Sequence, residues 1–186
     1  PVLKEISQYW ERHLKTLGEG GRGFESEYKV VDVAKYPELA NIKEGTLVVP
    51  NGWSPEIGPR GEDGVSHDQE IVSALFANTI QAARTLGVDK AFAERLSSEL
   101  ARMHQPGIGK MGNLMEWMID RDPVTDHRHT SHLFAVYPGN QINMEETPML
   151  ALAARRSLEL RKTSGNSLRA FAWAWRSCLW ARLRDG

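Results

Sequence analysis

With 186 residues, the chain is long enough for one domain with its own core. Its 23 basic and 24 acidic side chains leave a formal charge of −1, which argues against nucleic acid or an anionic membrane as partner. No apolar run approaches the ~20 residues of a membrane span, and the single Cys178 excludes an internal disulfide.

Residues 1–17 carry Leu3, Ile6, Trp10, Leu14 and Leu17 at helical spacing. Gly18, Gly20, Gly21 and Gly23 are expected to end that helix, and its pattern is amphipathic rather than that of a signal peptide. Residues 24–50 read as an irregular excursion, with strand signals at Tyr28–Val33 and at Leu47-Val48-Val49. A Pro- and Gly-rich loop over 50–65 follows, with Glu56 between Pro55 and Ile57. Taken alone, Glu56 is a solvated carboxylate on a turn.

Ser66-His67-Asp68-Gln69 is a capping-box pattern. The helix it opens carries Ile71, Val72, Leu75, Phe76, Ile80 and Leu86 and stops at Gly87. Asp89 is expected to cap the next helix, striped by Phe92, Leu96, Leu100 and Met103 and ended by Gln105-Pro106-Gly107. The short connection makes the two an antiparallel hairpin. Residues 106–130 read as loop with one short helix at 114–118.

Asp126-His127-Arg128-His129-Thr130-Ser131-His132 gathers three imidazoles, a guanidinium and a carboxylate ahead of an apolar run that Tyr137-Pro138-Gly139 stops. The pattern predicts a polar loop feeding a short buried helix with Ser131 as N-cap. Two chemistries could use it. His127, His129 and His132 have the composition of a metal set, but no Cys or carboxylate cluster elsewhere completes one. Imidazole and guanidinium donors suit a polyhydroxylated ligand. A hydrogen-bonded loop with no ligand is the plain alternative.

Thr147 with Pro148 at the first helical position starts a helix running to about Lys162. A turn over 163–167 precedes the last helix, about 168–183, with Phe171, Trp175, Cys178, Leu179 and Leu183 on one face and Trp173 and Trp180 off it. A helix apolar over most of its girth belongs inside. Trp175, Cys178, Leu179, Phe76, Leu75 and Leu133 are the expected core. One-sided helices alternating with nearly all-round apolar ones suggest two layers, inner and outer. Polar loops at 50–67, 120–131 and 163–167 would then gather on one face.

Over nearly the whole chain, these residues resemble the catalytic domain of glycoside hydrolase family 95, the inverting α-L-fucosidases. The resemblance runs through Gly45–Pro50 to Ser54-Pro55-Glu56, Asp68-Gln69-Glu70-Ile71, Ile108-Gly109-Lys110 to Glu116-Trp117, His127–Gly139, Ala174-Trp175 and Leu179–Gly186. Residues 19–44 match poorly and look like an insertion. The resemblance implies an all-α fold, the later half of an (α/α)6 toroid, with 1–186 a single piece of the catalytic domain. The rest of the toroid and the flanking β domains are then its partners, and the isolated chain is expected to be inactive.

The implied reaction is hydrolysis of α-L-fucosides, or the closely related α-L-galactosides, in an oligosaccharide or glycoconjugate, by an inverting acid/base mechanism without metal or other cofactor. The resemblance makes Glu56 the general acid, a carboxyl that neighbouring prolines would shield from water. Arg128 and His129 would bind sugar hydroxyls, and Trp53 and Trp117 would stack on sugar or aglycone. Asp68, at a helix start, is either a second carboxylate on that face or a structural cap. Asn166 stands where the family's turn carries the aspartate that supports water activation. Family members are often exported; the chain itself does not say where it works. The competing class is a catalytically incomplete helical carbohydrate-binding or scaffold fragment.

Overall fold

The computed structural model describes residues 1–17, 42–162, 165 and 169–184. Among these described residues five α-helices dominate the regular structure: α1 (Val2–His13), α2 (Ser66–Leu86), α3 (Lys90–Leu100), α4 (Pro148–Leu160) and α5 (Ala170–Arg182). Two short strands, β1 (Lys15–Thr16) and β2 (Leu47–Val48), pair antiparallel with Lys15 opposite Val48. A 3-10 turn, Ser131–Leu133, lies between α3 and α4. Long stretches at 49–65 and 101–147 are otherwise irregular, so the chain is less helical than its stripes suggested.

Helix α1 does not run to the glycines. It ends at His13, where Leu14 turns extended and buries its side chain completely. The chain then enters β1, which places strand outside the expected 24–50 region. Strand β2 matches the Leu47-Val48 expectation, whereas Tyr28–Val33 lies outside the described residues. The other side of β2 is closed by backbone and side chain together: Leu47 N donates to Arg102 O at 2.8 Å and His104 N to Leu47 O at 2.9 Å, while Gln69 Oε1 accepts from Val49 N at 2.9 Å and Gln69 Nε2 donates to Leu47 O at 3.0 Å. A buried amide on α2 thus extends the pairing that residues 102–104 begin.

Helices α2 and α3 pack on each other across Gly87-Val88-Asp89, and α1 packs on α2. Both expected caps fail in detail. Ser66 already belongs to α2, and its hydroxyl donates to Met115 O at 2.6 Å instead of capping. Asp89 holds the N-cap position without a side-chain cap bond and pairs with Lys4. Helix α3 stops at Leu100, short of Gln105. Helix α4 starts at Pro148 as expected and stops at Leu160.

No helix forms at 114–118. The backbone there bonds elsewhere: Leu114 N donates to Ser157 Oγ at 3.0 Å and Met115 N to Gly107 O at 2.9 Å. The expected helix after the His/Arg stretch shrinks to the 3-10 turn, with Thr130 rather than Ser131 at its N-cap.

Two cores result. Leu14, Leu47, Val49, Val72, Phe76, Phe92 and Leu96 form one beneath α1, α2 and α3. Leu114, Leu133, Val136, Ile142, Leu158 and Leu179 form the other beneath α4 and α5. Glu70 of α2 joins them: its Oε2 accepts from Ala135 N at 2.8 Å, and its carbonyl accepts from Gln141 Nε2 at 2.8 Å. Phe76, Leu133 and Leu179 are buried as expected, while Leu75, Trp175 and Cys178 are only partly covered. On α5, Phe171 is 66% and Trp173 43% exposed; the described residues leave one side of this apolar helix open, so its expected interior position is not reached within this chain. Val2, Ile6 and Tyr9 of α1 are likewise exposed. No helix is long and apolar enough to cross a membrane among the described residues.

Candidate active site

The loop between β2 and α2 is held at its base and aimed by backbone geometry. Gly52 N donates to Glu62 O at 2.6 Å and closes the loop on itself. A Cβ on Gly52 would lie 2.3 Å from Asp68 Oδ2, so a larger residue here would have to displace the Asp68 carboxylate at the first turn of α2. Lys15 Nζ meets Asp63 Oδ2 at 2.5 Å with both side chains essentially dry, and Asp63 Oδ1 accepts from Asn51 N at 3.2 Å. At the loop tip Glu56 sits at φ +60°, unusual for a residue with a side chain.

From that tip Glu56 Oε2 forms an ion pair with Arg128 and lies 3.5 Å from His129 Nε2. Residues 72 and 73 positions apart in sequence thus meet at one carboxylate. The shielding expected from the prolines is not met: the Glu56 side chain is 49% exposed. Trp53 is partly buried beside it, its Nε1 donating to Gly58 O at 3.3 Å and its ring facing the Arg60 guanidinium at 4.1 Å. Trp117 is instead almost fully buried beneath the loop. Its ring fills the space a Cβ on Gly58 would need, at 2.3 Å from Cζ2. In this chain, then, Trp117 supports the loop. Asp68 does not cap α2; it contacts His67 Nδ1 at 3.3 Å and backs onto Gly52. Asn166 lies outside the described residues. The segment leading to its turn starts beside the His/Arg stretch, where Lys162 N donates to Thr125 O at 2.6 Å.

The His stretch splits into two environments. His127 and His129 are partly exposed, with ring centroids 5.3 Å apart. Burial, then the Arg161 and His129 charges, lowers the His127 pKa; burial, then Arg128 and Arg161, lowers that of His129. Both rings are therefore neutral near pH 7; His127 Nδ1 accepts from His129 N at 3.2 Å, and His129 Nε2 faces Glu56. His132 turns inward to a buried network that the sequence did not announce. Its Nδ1 lies 3.6 Å from Glu116 Oε2. Arg161 Nη2 donates to the same oxygen at 3.1 Å, and Ser54 Oγ donates to Glu116 Oε1 at 2.5 Å. Burial alone would raise the Glu116 carboxyl; His132, Arg161 and the Ser54 hydroxyl outweigh it and hold the carboxyl below its usual value. Among the described residues, no group of three or more His, Cys, Asp or Glu side chains could hold a metal ion.

Burial, reinforced by Arg161 and opposed by Glu116, pushes His132 down to about 4. The unfolded chain titrates this residue near ~6.5. Between those values the unfolded state holds the extra proton, so stability present above pH ~6.5 is lost as pH falls toward 4. Glu70 acts oppositely, because burial first and Glu116 second raise its carboxyl well above the usual range despite the Ala135 N–H. The His132 contribution is therefore read as a difference. Urea unfolding at pH 7 and pH 5 should show a larger acid-induced loss for wild type than for His132→Gln; equal losses would contradict the assignment.

A carboxylate, a guanidinium and an imidazole converging at the tip of a braced loop, with an indole alongside, form a donor–acceptor set of the kind carbohydrate-processing enzymes present. The model of the glycosyl hydrolase family 95 catalytic domain matches residues 1–186, and the chain belongs to that family. It is 33% identical over 157 residues to Alpha-L-fucosidase 2 of Arabidopsis thaliana, covering 79% of this chain and 18% of the relative. It is 31% identical over 193 residues to Probable alpha-fucosidase A of Aspergillus niger, covering 98% of this chain and 21% of the relative. The protein of the same name from Aspergillus oryzae is 30% identical over 152 residues, covering 76% and 21%. The chain thus spans about a fifth of the length of these curated relatives.

Proposed function

We propose that the full-length protein is a glycosidase that hydrolyses α-L-fucosides, with α-L-galactosides as the near alternative, by inversion and without a metal. Family membership and the names of the relatives support the reaction class. The observation that carries the site is the meeting of Glu56 with Arg128 and His129. In this reading the chain contributes helices of an (α/α)6 toroid. The open sides of α1 and α5, with Val2, Ile6, Phe171 and Trp173 exposed, suit contact with further helices.

Glu56 donates its proton to the glycosidic oxygen as the C–O bond breaks. Water attacks the anomeric carbon from the opposite face, giving the opposite anomer. Its proton goes to a base that stands roughly 6.5–9.5 Å from the acid in inverting enzymes. Arg128 and His129 hold the sugar hydroxyls. A guanidinium on the acid's own oxygen does not serve proton donation, so the reading requires the sugar to take over the Arg128 N–H groups on binding. Trp53, beside the loop tip, offers the aromatic wall. Asp68 is a reserve carboxylate under the loop root.

Asn166 favours the second reading, a binding or scaffold piece, since an amide cannot accept a proton as a carboxylate does. A panel of aryl α-L-fucosides and α-L-galactosides, followed by proton NMR, separates the two. The enzyme reading expects turnover with the β-anomer released first. No turnover of any member by the full-length protein would leave the binding reading.

A further inference from the structure

We propose that Glu116 is a positioning residue: one buried carboxylate that locks the loop carrying Glu56 to the loop carrying Arg128 and His129. The proposal rests on Glu56 being the acid. Glu116 Oε1 takes the hydroxyl of Ser54, two residues before Glu56. Glu116 Oε2 takes Arg161 Nη2 at the end of α4, and the same guanidinium nitrogen lies 3.5 Å from His132 Nδ1, three residues after His129. The same short segment grips the far end of the acid loop. Ser66 N donates to Glu116 O at 3.3 Å, and Ser66 Oγ donates to Met115 O at 2.6 Å. Trp117 fills the middle against Gly58. Residues 115–117 therefore hold the 54–66 loop at its start, its middle and its end.

Such a clamp is what the loop tip needs. A non-glycine residue at φ +60° persists when its surroundings over-determine it. Ser54, Glu116, His132 and Arg161 are all buried, so water does not compete for these contacts. Moving either loop by about 1 Å would separate the proton donor from the sugar it serves, and such misplacement can cost on the order of 100-fold in rate.

The test uses the full-length protein and two α-L-fucosides, one with a poor leaving group and one with an activated aryl group that needs no proton. Glu116→Gln keeps the volume and an acceptor for Ser54 but removes the charge that Arg161 holds. Ser54→Ala releases the acid loop alone. Both should slow the poor-leaving-group substrate by about 10- to 100-fold, slow the aryl substrate far less, and leave KM within about threefold. Because both act through one contact, the double variant should be little worse than the poorer single variant. Glu56→Gln is the control. If it shows no leaving-group contrast, the acid assignment itself fails. If it shows the contrast while Glu116→Gln and Ser54→Ala slow both substrates equally, or only lower Tm, the positioning role is overturned. Should Glu116→Gln fail to fold, Ser54→Ala decides alone.

Discussion

Glu56→Gln in the full-length protein should lower turnover of natural glycosides by about 100- to 10,000-fold, the usual worth of a general acid. The substitution keeps the size of the side chain and an oxygen to face Arg128 and His129, which Glu56 contacts through Oε2. It removes the transferable proton. An aryl substrate whose leaving group departs without protonation should lose much less. That contrast separates an acid from a residue that merely binds the sugar, whose loss would slow both substrates alike. Steady-state kinetics on the pair decides it. Natural-substrate turnover within about threefold of wild type would remove Glu56 from the role, and Asp68 would be the next carboxylate to examine.

Lys15→Met should be the most destabilising single change near the site. Lys15 and Asp63 have side chains 0% and 1% exposed and meet at 2.5 Å. Removing one partner leaves an uncompensated buried charge, which costs about 3–5 kcal/mol. Burial already raises the Asp63 carboxyl despite the bond and charge of Lys15. A raised folded pKa means that the folded state binds the proton more tightly, so stability rises as pH falls through that value. The deficit of Lys15→Met should therefore shrink in acid, where Asp63 is protonated. Pairing it with Asp63→Leu should recover much of the loss, since apolar replacements of buried pairs are often near neutral. Denaturant midpoints at pH 7 and pH 5 test this. A Lys15→Met variant as stable as wild type at pH 7 would show that the pair is solvated in solution.

What could be read from the sequence was local. The stop at Gly87, the start at Pro148 and part of each stripe follow from short-range spacing: Val72, Phe76, Ile80, Phe92 and Leu96 are buried as expected, whereas Ile71 and Leu86 are exposed and Met103 lies beyond α3. The failures are residues whose polar groups answer to distant partners. Ser66 looks like a cap, but Met115 O takes its hydroxyl. Leu114–Met118 looks like a helical turn, but Ser157 and Gly107 take its backbone bonds. Lys15, a lysine between Leu14 and Thr16, gives no hint of a buried strand position, because its partner lies 48 residues on. The same holds for the site. Glu56, Arg128 and His129 stood out through the resemblance and the order of the polar loops. Glu116 did not, because its partners at 54, 132 and 161 come together only in the fold. Density of His and Arg in one stretch marked the loop but could not tell the outward His129 from the inward His132.

The most direct measurement is a crystal structure of the full-length Glu56→Gln variant with an uncleaved α-L-fucoside. The side-chain amide at position 56 should lie about 2.6–3.2 Å from the glycosidic oxygen. Arg128 and His129 should have moved from that side chain onto the sugar hydroxyls. A sugar bound elsewhere, or one whose glycosidic oxygen faces away from position 56 while Arg128 stays on that side chain, would contradict the account.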